Sequence, residues 1–131
     1  LFVEKLKETG SKGVLEATKL LFRNIPKEGL KTFTSDNVKA FAKFEEISKI
    51  LEIDYYFALP HHPWERGTNE NTNELLRQYF PKGTDFNTIS DKEISDVATQ
   101  LNNRPRKVLN YKTPQEVFWA DLNCQIKLHL I

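Results

Sequence analysis

The sequence has no methionine, one cysteine and no long apolar run, and each absence narrows what the chain can be. Because translation starts at methionine, a chain that begins at Leu1 without any is expected to be an excerpt from a longer protein. Cys124 has no partner for an intrachain disulfide, which fits a reducing compartment. No apolar stretch approaches the roughly 20 residues that cross a bilayer, so no membrane association is predicted.

The sequence also has no large excess of positive or negative charge. It contains 19 Lys and Arg and 18 Asp and Glu, which give a net charge of +1. Bulk charge therefore does not indicate nucleic-acid binding, and any basic surface must come from local clustering. The length of 131 residues and the hydrophobic content of 39% are those of one globular domain.

Segments with strand and helix patterns alternate along the chain, which predicts an α/β layer fold. β-Branched and aromatic residues predict strands at 1–7, 30–35 and 53–59. Apolar spacings of three and four predict helices at 12–24, 38–51, 68–80 and 91–102. Ser11 is expected to cap the first helix, and Thr113 a short one that begins at Pro114.

A carboxylate ends the predicted strand at 30–35, in the run Thr34-Ser35-Asp36-Asn37. Ligands of open α/β sheets bind outside the carboxyl ends of strands, so Asp36 is a candidate binding acid. Taken alone, this residue is better interpreted as the N-cap of the helix that follows.

The segment PWERGTNENTN, residues 63–73, places an acid in the first turns of a helix crowded with asparagines. Asparagine lowers helix propensity without improving a core, which indicates another use. Spacings of three and four place four polar residues on one face, Arg66, Glu70, Asn73 and Arg77. Such a face suits a metal ion beside a phosphate backbone. A solvated, salt-bridged face is the alternative, with Glu65 and Glu74 as alternative acids.

A basic run, NNRPRK, follows the helix predicted at 91–102. Its Arg104, Arg106 and Lys107 are candidates for neutralising DNA phosphates. Surface Lys and Arg are common, so the run is weak evidence when taken alone.

Together and in this order, the patterns resemble the integrase-like core of DDE transposases, most closely bacterial insertion-sequence elements of the IS-thirty group. The segment RGTNENTNELLRQYFPKGTDF carries the resemblance, and LNNRPRKVLNYKTPQEVF supports it. The resemblance extends over residues 1–118. It implies a catalytic core lacking its first strands at 1–120, with a C-terminal tail at 121–131.

The resemblance implies a ribonuclease-H-like fold, here an N-terminally truncated mixed sheet flanked by helices. It matches Asp36 to the second acid of a D, D, E triad and Glu70, 34 positions later, to the third. Such acids bind Mg²⁺, or alternatively Mn²⁺, with two ions in the complete enzyme, which cuts and joins DNA strands by phosphoryl transfer. The two carboxylates are therefore expected to lie within roughly 8 Å of each other.

DNA is the implied partner, both as transposon ends and as target, and a homo-oligomer in the bacterial cytoplasm, at the nucleoid, is expected. The residues expected to contact DNA are Arg66, Asn73, Arg77, Arg104, Arg106 and Lys107.

The chain departs from the family pattern in its missing first acid and at two glycine positions. The family's first aspartate would precede Leu1, so this excerpt is expected to be inactive although its parent is an enzyme. Val38 stands where the family usually has glycine, and Asn110 where glycine is frequent. The alternative functions are a degenerate, inactive transposase fragment and a ribonuclease-H-like nuclease of another type.

Overall fold

The computed structural model describes residues 1–36, 39–59 and 67–129, with side chains through Leu122. The chain divides into two compact units, one of Glu4–Thr84 and the other of Leu1–Val3 with Asp85–Ile131. The elements in the described residues are five α-helices and a two-stranded parallel sheet. The predicted α/β class is confirmed at this level.

The unit of Glu4–Thr84 is built around a parallel pair of strands. Its elements are α1 (Ser11–Phe22), β1 (Thr32–Ser35), α2 (Phe44–Leu51), β2 (Asp54–Phe57) and α3 (Gly67–Arg77). Thr32 lies opposite Asp54, and Ser35 lies opposite Phe57. Parallel neighbours need a crossover connection, and α2 lies within the segment that joins β1 to β2.

One face of this strand pair is aromatic because strand side chains alternate between faces. Phe33 stacks on Tyr55 with ring centroids 5.0 Å apart, and Phe44 of α2 meets Phe57 edge-on at 5.0 Å. The alternate residue Tyr56 is 53% exposed. The fully buried Ile47 fixes α2 against this unit's core.

The second unit is held by α4 (Asp91–Asn102) and α5 (Pro114–His129). Ser90 and Glu93 form a capping box at the start of α4, which satisfies backbone N–H groups that a helix leaves unpaired. The predicted apolar stripe of α4 is confirmed, because Ile94, Val97 and Leu101 are buried.

Thr113 caps α5 as predicted. Its backbone N–H donates to Glu116 Oε2 at 2.7 Å, and its Oγ1 accepts from the Glu116 N–H at 3.2 Å. The helix is longer than the short one predicted, since it continues to His129.

The strand predicted at 1–7 is wrong, because residues 1–6 have no regular structure. A strand requires a partner backbone, and neither β1 nor β2 pairs with this segment. The Asn102 side chain instead donates to the Leu1 carbonyl at 2.7 Å, and Phe2 packs edge-on against Phe118.

The first and second helices also differ from prediction at their starts. Gly10, with φ of 89°, precedes α1 as its N-cap, and Ser11 is already helical. The helix predicted at 38–51 is divided among its described residues into a 3₁₀ turn, Lys39–Phe41, and α2. Within the described part of the chain, no helix combines the length and the apolar character that crossing a membrane requires.

Candidate functional site

Asp36 directly follows β1, at the edge where both parallel strands end. It is half-buried, and the Ser35 carbonyl beside it accepts a hydrogen bond from the Ala58 N–H at 2.8 Å, just past the end of β2. The carboxyl ends of parallel strands thus meet at this edge, which is where ligands of such sheets bind. The predicted position of Asp36 at a strand end is confirmed.

Two side chains that the sequence did not single out support the backbone of Asp36. The Tyr55 hydroxyl donates to Ser35 Oγ at 2.8 Å, and Ser35 Oγ donates to the Asp36 carbonyl at 3.1 Å. Ser35 is only 6% exposed, so its hydroxyl depends on these partners. The register explains the contact, because Tyr55 lies opposite Phe33, two positions before Ser35, and side chains two positions apart share a face of the strand pair.

The Tyr55 hydroxyl is held in its protonated, donating form. Burial chiefly raises the pKa of Tyr55, the hydrogen bond with Ser35 lowers it, and the negative charge of Asp36 raises it further. The pKa of Tyr55 lies above the usual 10.0, so the hydroxyl remains a donor even at alkaline pH near that usual value. Alternation along β2 could have indicated that Tyr55 faces inward, but only the register reveals its partner.

Glu70 lies in the first turn of α3 and is exposed. Asn73 and Arg77, three and seven positions later, are exposed with it, and α3 has no buried residue. The side of α3 with less exposure carries Thr72, Leu75 and Leu76. The acid, amide and guanidinium groups therefore occupy a solvent-facing surface of α3, as the spacing predicted.

Among the described residues no ion pair within 4.0 Å joins Glu70, Glu74 or Arg77, and the exposure of this face fits the solvated part of the alternative interpretation. Arg66 and Val38 lie outside the described residues. In the part of the chain that is described, no group of three His, Cys, Asp or Glu is arranged to hold a metal. The metal site and the convergence of Asp36 with Glu70 stay predictions, although both residues belong to the unit of Glu4–Thr84.

The basic run belongs to the other unit. Arg104 and Lys107 are exposed and Arg106 is half-buried. Within residues 103–113 the backbone turns through a short 3₁₀ helix, Lys107–Leu109.

Asn110 has φ of 53° and ψ of 44°, in the left-handed region. This conformation explains why glycine suits the position, and asparagine is among the non-glycine residues that tolerate it best.

The amino-acid sequence is similar to those of several insertion-sequence transposases. The chain is 56% identical over 92 residues to the transposase for insertion sequence element IS4351 of Bacteroides fragilis, covering 70% of this chain and 28% of that protein. It is 43% identical over 115 residues to the transposase InsI for insertion sequence element IS30A of Escherichia coli strain K12, covering 88% and 30%. It is 49% identical over 86 residues to the transposase for insertion sequence element IS1086 of Cupriavidus metallidurans, covering 66% and 25%.

No family model and no solved structure matches the chain. The relatives are insertion-sequence transposases, and the identity extends over most of this sequence. The chain belongs to the IS-thirty group of insertion-sequence transposases, as predicted, and spans less than a third of the length of the curated relatives named above.

Proposed function

We propose that this chain carries the second and third acids of a DDE-type transposase core with a ribonuclease-H-like fold. The supporting observation is the placement of two carboxylates in one compact unit. Asp36 ends the first of two parallel strands, and Glu70 lies 34 positions later on the exposed first turn of α3. The relatives are transposases, so DNA is the substrate that this site would serve.

The chemistry of the donor set fits Mg²⁺, with Mn²⁺ as an alternative. Asp36 and Glu70 offer hard carboxylate oxygens, and Mg²⁺ binds through one or two carboxylates while it keeps several waters. Bound ions would stabilise the charge that develops on the phosphate during in-line displacement. Two ions are expected in the complete enzyme, where a further acid from outside this chain would share them.

The protein's own groups hold this site in place. The hydrogen bonds from Tyr55 to Ser35 and from Ser35 to the Asp36 carbonyl fix the backbone that presents the Asp36 carboxylate. Glu70 has a helical backbone whose N-terminal end stabilises negative charge. Asn73 and Arg77 lie one and two turns further along and would contact the sugar-phosphate backbone of the bound strand.

The wider setting follows from the same proposal. A homo-oligomer would supply one active site for each of two transposon ends, and the DNA on which it acts would lie in the bacterial cytoplasm at the nucleoid. The alternative is a degenerate, catalytically inactive transposase fragment. Asn110 gives no sign of decay, because its left-handed backbone is one that asparagine tolerates.

Nicking of supercoiled DNA tests the proposal. The protein extended upstream to include its first acid is assayed with Mg²⁺ and with Mn²⁺, beside the chain alone. The extended protein should nick, and Glu70→Gln should reduce its rate by about 1,000-fold or more, since a metal ligand is lost while size and fold are kept.

Two matched variants make the assay specific. Glu74→Gln removes an exposed acid one turn further along α3, and Asp54→Asn removes one at the opposite end of the strand pair. Both should stay active, whereas Asp36→Asn should fail as Glu70→Gln does. Full activity of Glu70→Gln would contradict the proposal, and nicking by the chain alone that depends on Glu70 would show that the acid from outside this chain is dispensable.

A further inference from the structure

The most exposed apolar side chains of the described residues lie in a loop that the proposed active site does not use. Val108 is 85% exposed and Tyr111 is 71% exposed. Both belong to the segment 103–113, between α4 and α5. Full exposure of a valine and a tyrosine three positions apart forgoes the stability that their burial would contribute.

The backbone of this loop is rigid. Five hydrogen bonds close the segment 106–112 on itself, among them Tyr111 N–H to the Arg106 carbonyl at 2.9 Å and Arg106 N–H to the Lys112 carbonyl at 3.1 Å. Leu109 is half-buried beneath them. The loop therefore presents its outer side chains in a fixed arrangement, which lowers the entropy lost on binding.

Two consecutive residues, Asn110 and Tyr111, have left-handed backbones, with φ of 53° and 62°. Asparagine tolerates this region, but a tyrosine there is unusual. The closing hydrogen bonds hold Tyr111 in this conformation while its ring remains in solvent. Strain kept in a surface loop is characteristic of binding sites.

The charge of the loop selects the class of partner. Residues 103–113 contain four cations and no carboxylate, and the cations are Arg104, Arg106, Lys107 and Lys112. None of the four forms an ion pair with the other described residues. The next acid along the chain, Glu116, is engaged as the cap of α5, where its hydrogen bonds with Thr113 and the charge of Lys112 lower its pKa. An anionic polymer complements this surface, whereas a neutral or basic protein does not.

From these observations we infer that the loop 103–113 is a DNA contact in which the ring of Tyr111 packs on an unpaired base. The four cations contact the adjacent phosphates, and Val108 packs against a sugar. The inference rests on the proposed action on DNA but not on the metal site. An aromatic face within a cationic groove is the general means by which proteins bind unstacked bases.

Fluorescence anisotropy with the whole chain tests the inference, in EDTA so that no metal site contributes. The probes are a labelled duplex with a short unpaired stretch and the same duplex fully paired. Tyr111→Ala should weaken binding to the first probe by about 5- to 100-fold, the range for losing one base stack. Tyr111→Phe should bind within about twofold of the parent chain, since the ring is kept.

The salt dependence of DNA binding distinguishes the contribution of the Tyr111 ring from that of the loop cations. Lys107→Gln with Lys112→Gln should reduce the slope of log K against log salt by about 2, because two phosphate contacts are lost. Tyr111→Ala should leave that slope unchanged. Tyr56→Ala, which removes an exposed tyrosine from the other unit, is the matched control and should bind both probes as the parent does.

Thermal melting of each variant separates loss of binding from loss of fold. Unchanged affinity of a folded Tyr111→Ala for the unpaired probe would overturn the inference, as would an equal loss on both probes. If Glu70→Gln were active in the nicking assay, the proposed metal site would fail while the loop contact would stand.

Discussion

The helices α3 and α4 have almost the same length, 11 and 12 residues, but they use their side chains in opposite ways. α4 buries Ile94, Val97 and Leu101 on one face and begins with a complete capping box. α3 buries no residue and carries Glu70, Asn73 and Arg77 in solvent.

The comparison separates residues kept for stability from residues free for chemistry. The apolar stripe and the capping box of α4 both lower the free energy of the folded state, the first by burying apolar surface and the second by pairing backbone groups. The asparagines of α3 do the reverse, since they disfavour a helix and add nothing to a core. Polar residues that weaken their own element and face solvent are the ones to test for binding.

The largest expected effect on stability is the loss of packing at the centre of α4. Leu101 is fully buried, so Leu101→Ala should destabilise the chain by about 2–5 kcal/mol. Leu76→Ala in α3 should cost only about 1 kcal/mol, because that side chain is half-buried. Urea denaturation followed by circular dichroism measures both. Equal losses would mean that α3 is as much a part of a core as α4.

A smaller effect is expected at the cap of α4. Ser90 Oγ accepts from the Glu93 N–H at 3.2 Å, so Ser90→Ala should destabilise the chain by about 1 kcal/mol. Removal of this hydroxyl should also change how stability depends on pH.

The direction of that pH dependence follows from the Glu93 carboxylate. Hydrogen bonds from the Ser90 side chain and backbone hold the pKa of Glu93 below its usual 4.5. The stabilisation is therefore present above pH 4.5 and is lost as the pH falls through the lower, folded-state pKa. Denaturation at pH 7 and near pH 3 should show this loss in the parent chain and a smaller one in Ser90→Ala. An identical pH dependence in the two proteins would exclude the capping box as its source.

The smallest effect is a gain in stability within α3. Asn73→Ala should stabilise the chain by about 0.5 kcal/mol, since alanine is the better helix former at an exposed site. It should also weaken DNA binding, measured by anisotropy, because Asn73 shares its face with Glu70 and Arg77. Asn71→Ala is the matched control: it is also exposed on α3 but lies off that face, so stability should rise and binding should not change. A loss of stability in Asn73→Ala would assign that residue a structural role.

Elements with local signals were predicted well from the sequence. α4 has the predicted bounds, Asp91–Asn102, because Ser90 caps its start, an apolar period extends through it and a segment with Pro105 follows its end. The start of α5 was predicted for the same reason, because Thr113 and Glu116 are three positions apart and cap the helix. The positions of Asp36 after a strand and Glu70 in a first helical turn also follow from neighbouring residues.

Elements that depend on distant partners were predicted poorly. Residues 1–7 have strand-forming side chains but no strand partner, and propensity cannot supply one. The 3₁₀ turn Lys39–Phe41 interrupts a stretch whose apolar spacing suggested one continuous helix. Spacing indicates which residues face inward but not whether every turn keeps α geometry.

Residue order and local periodicity were enough to predict the family, the α/β class and the local positions of Asp36 and Glu70, because these depend on neighbouring residues. The support of Asp36 by Tyr55 through Ser35 follows from the three-dimensional structure, since parallel register joins residues 20 positions apart. The tertiary structure likewise decided that Asn110 and Tyr111 have left-handed backbones, which the closing hydrogen bonds of residues 106–112 impose against the preference of a tyrosine. Backbone pairing is set by which segments meet in space, and no single segment's composition specifies its partner.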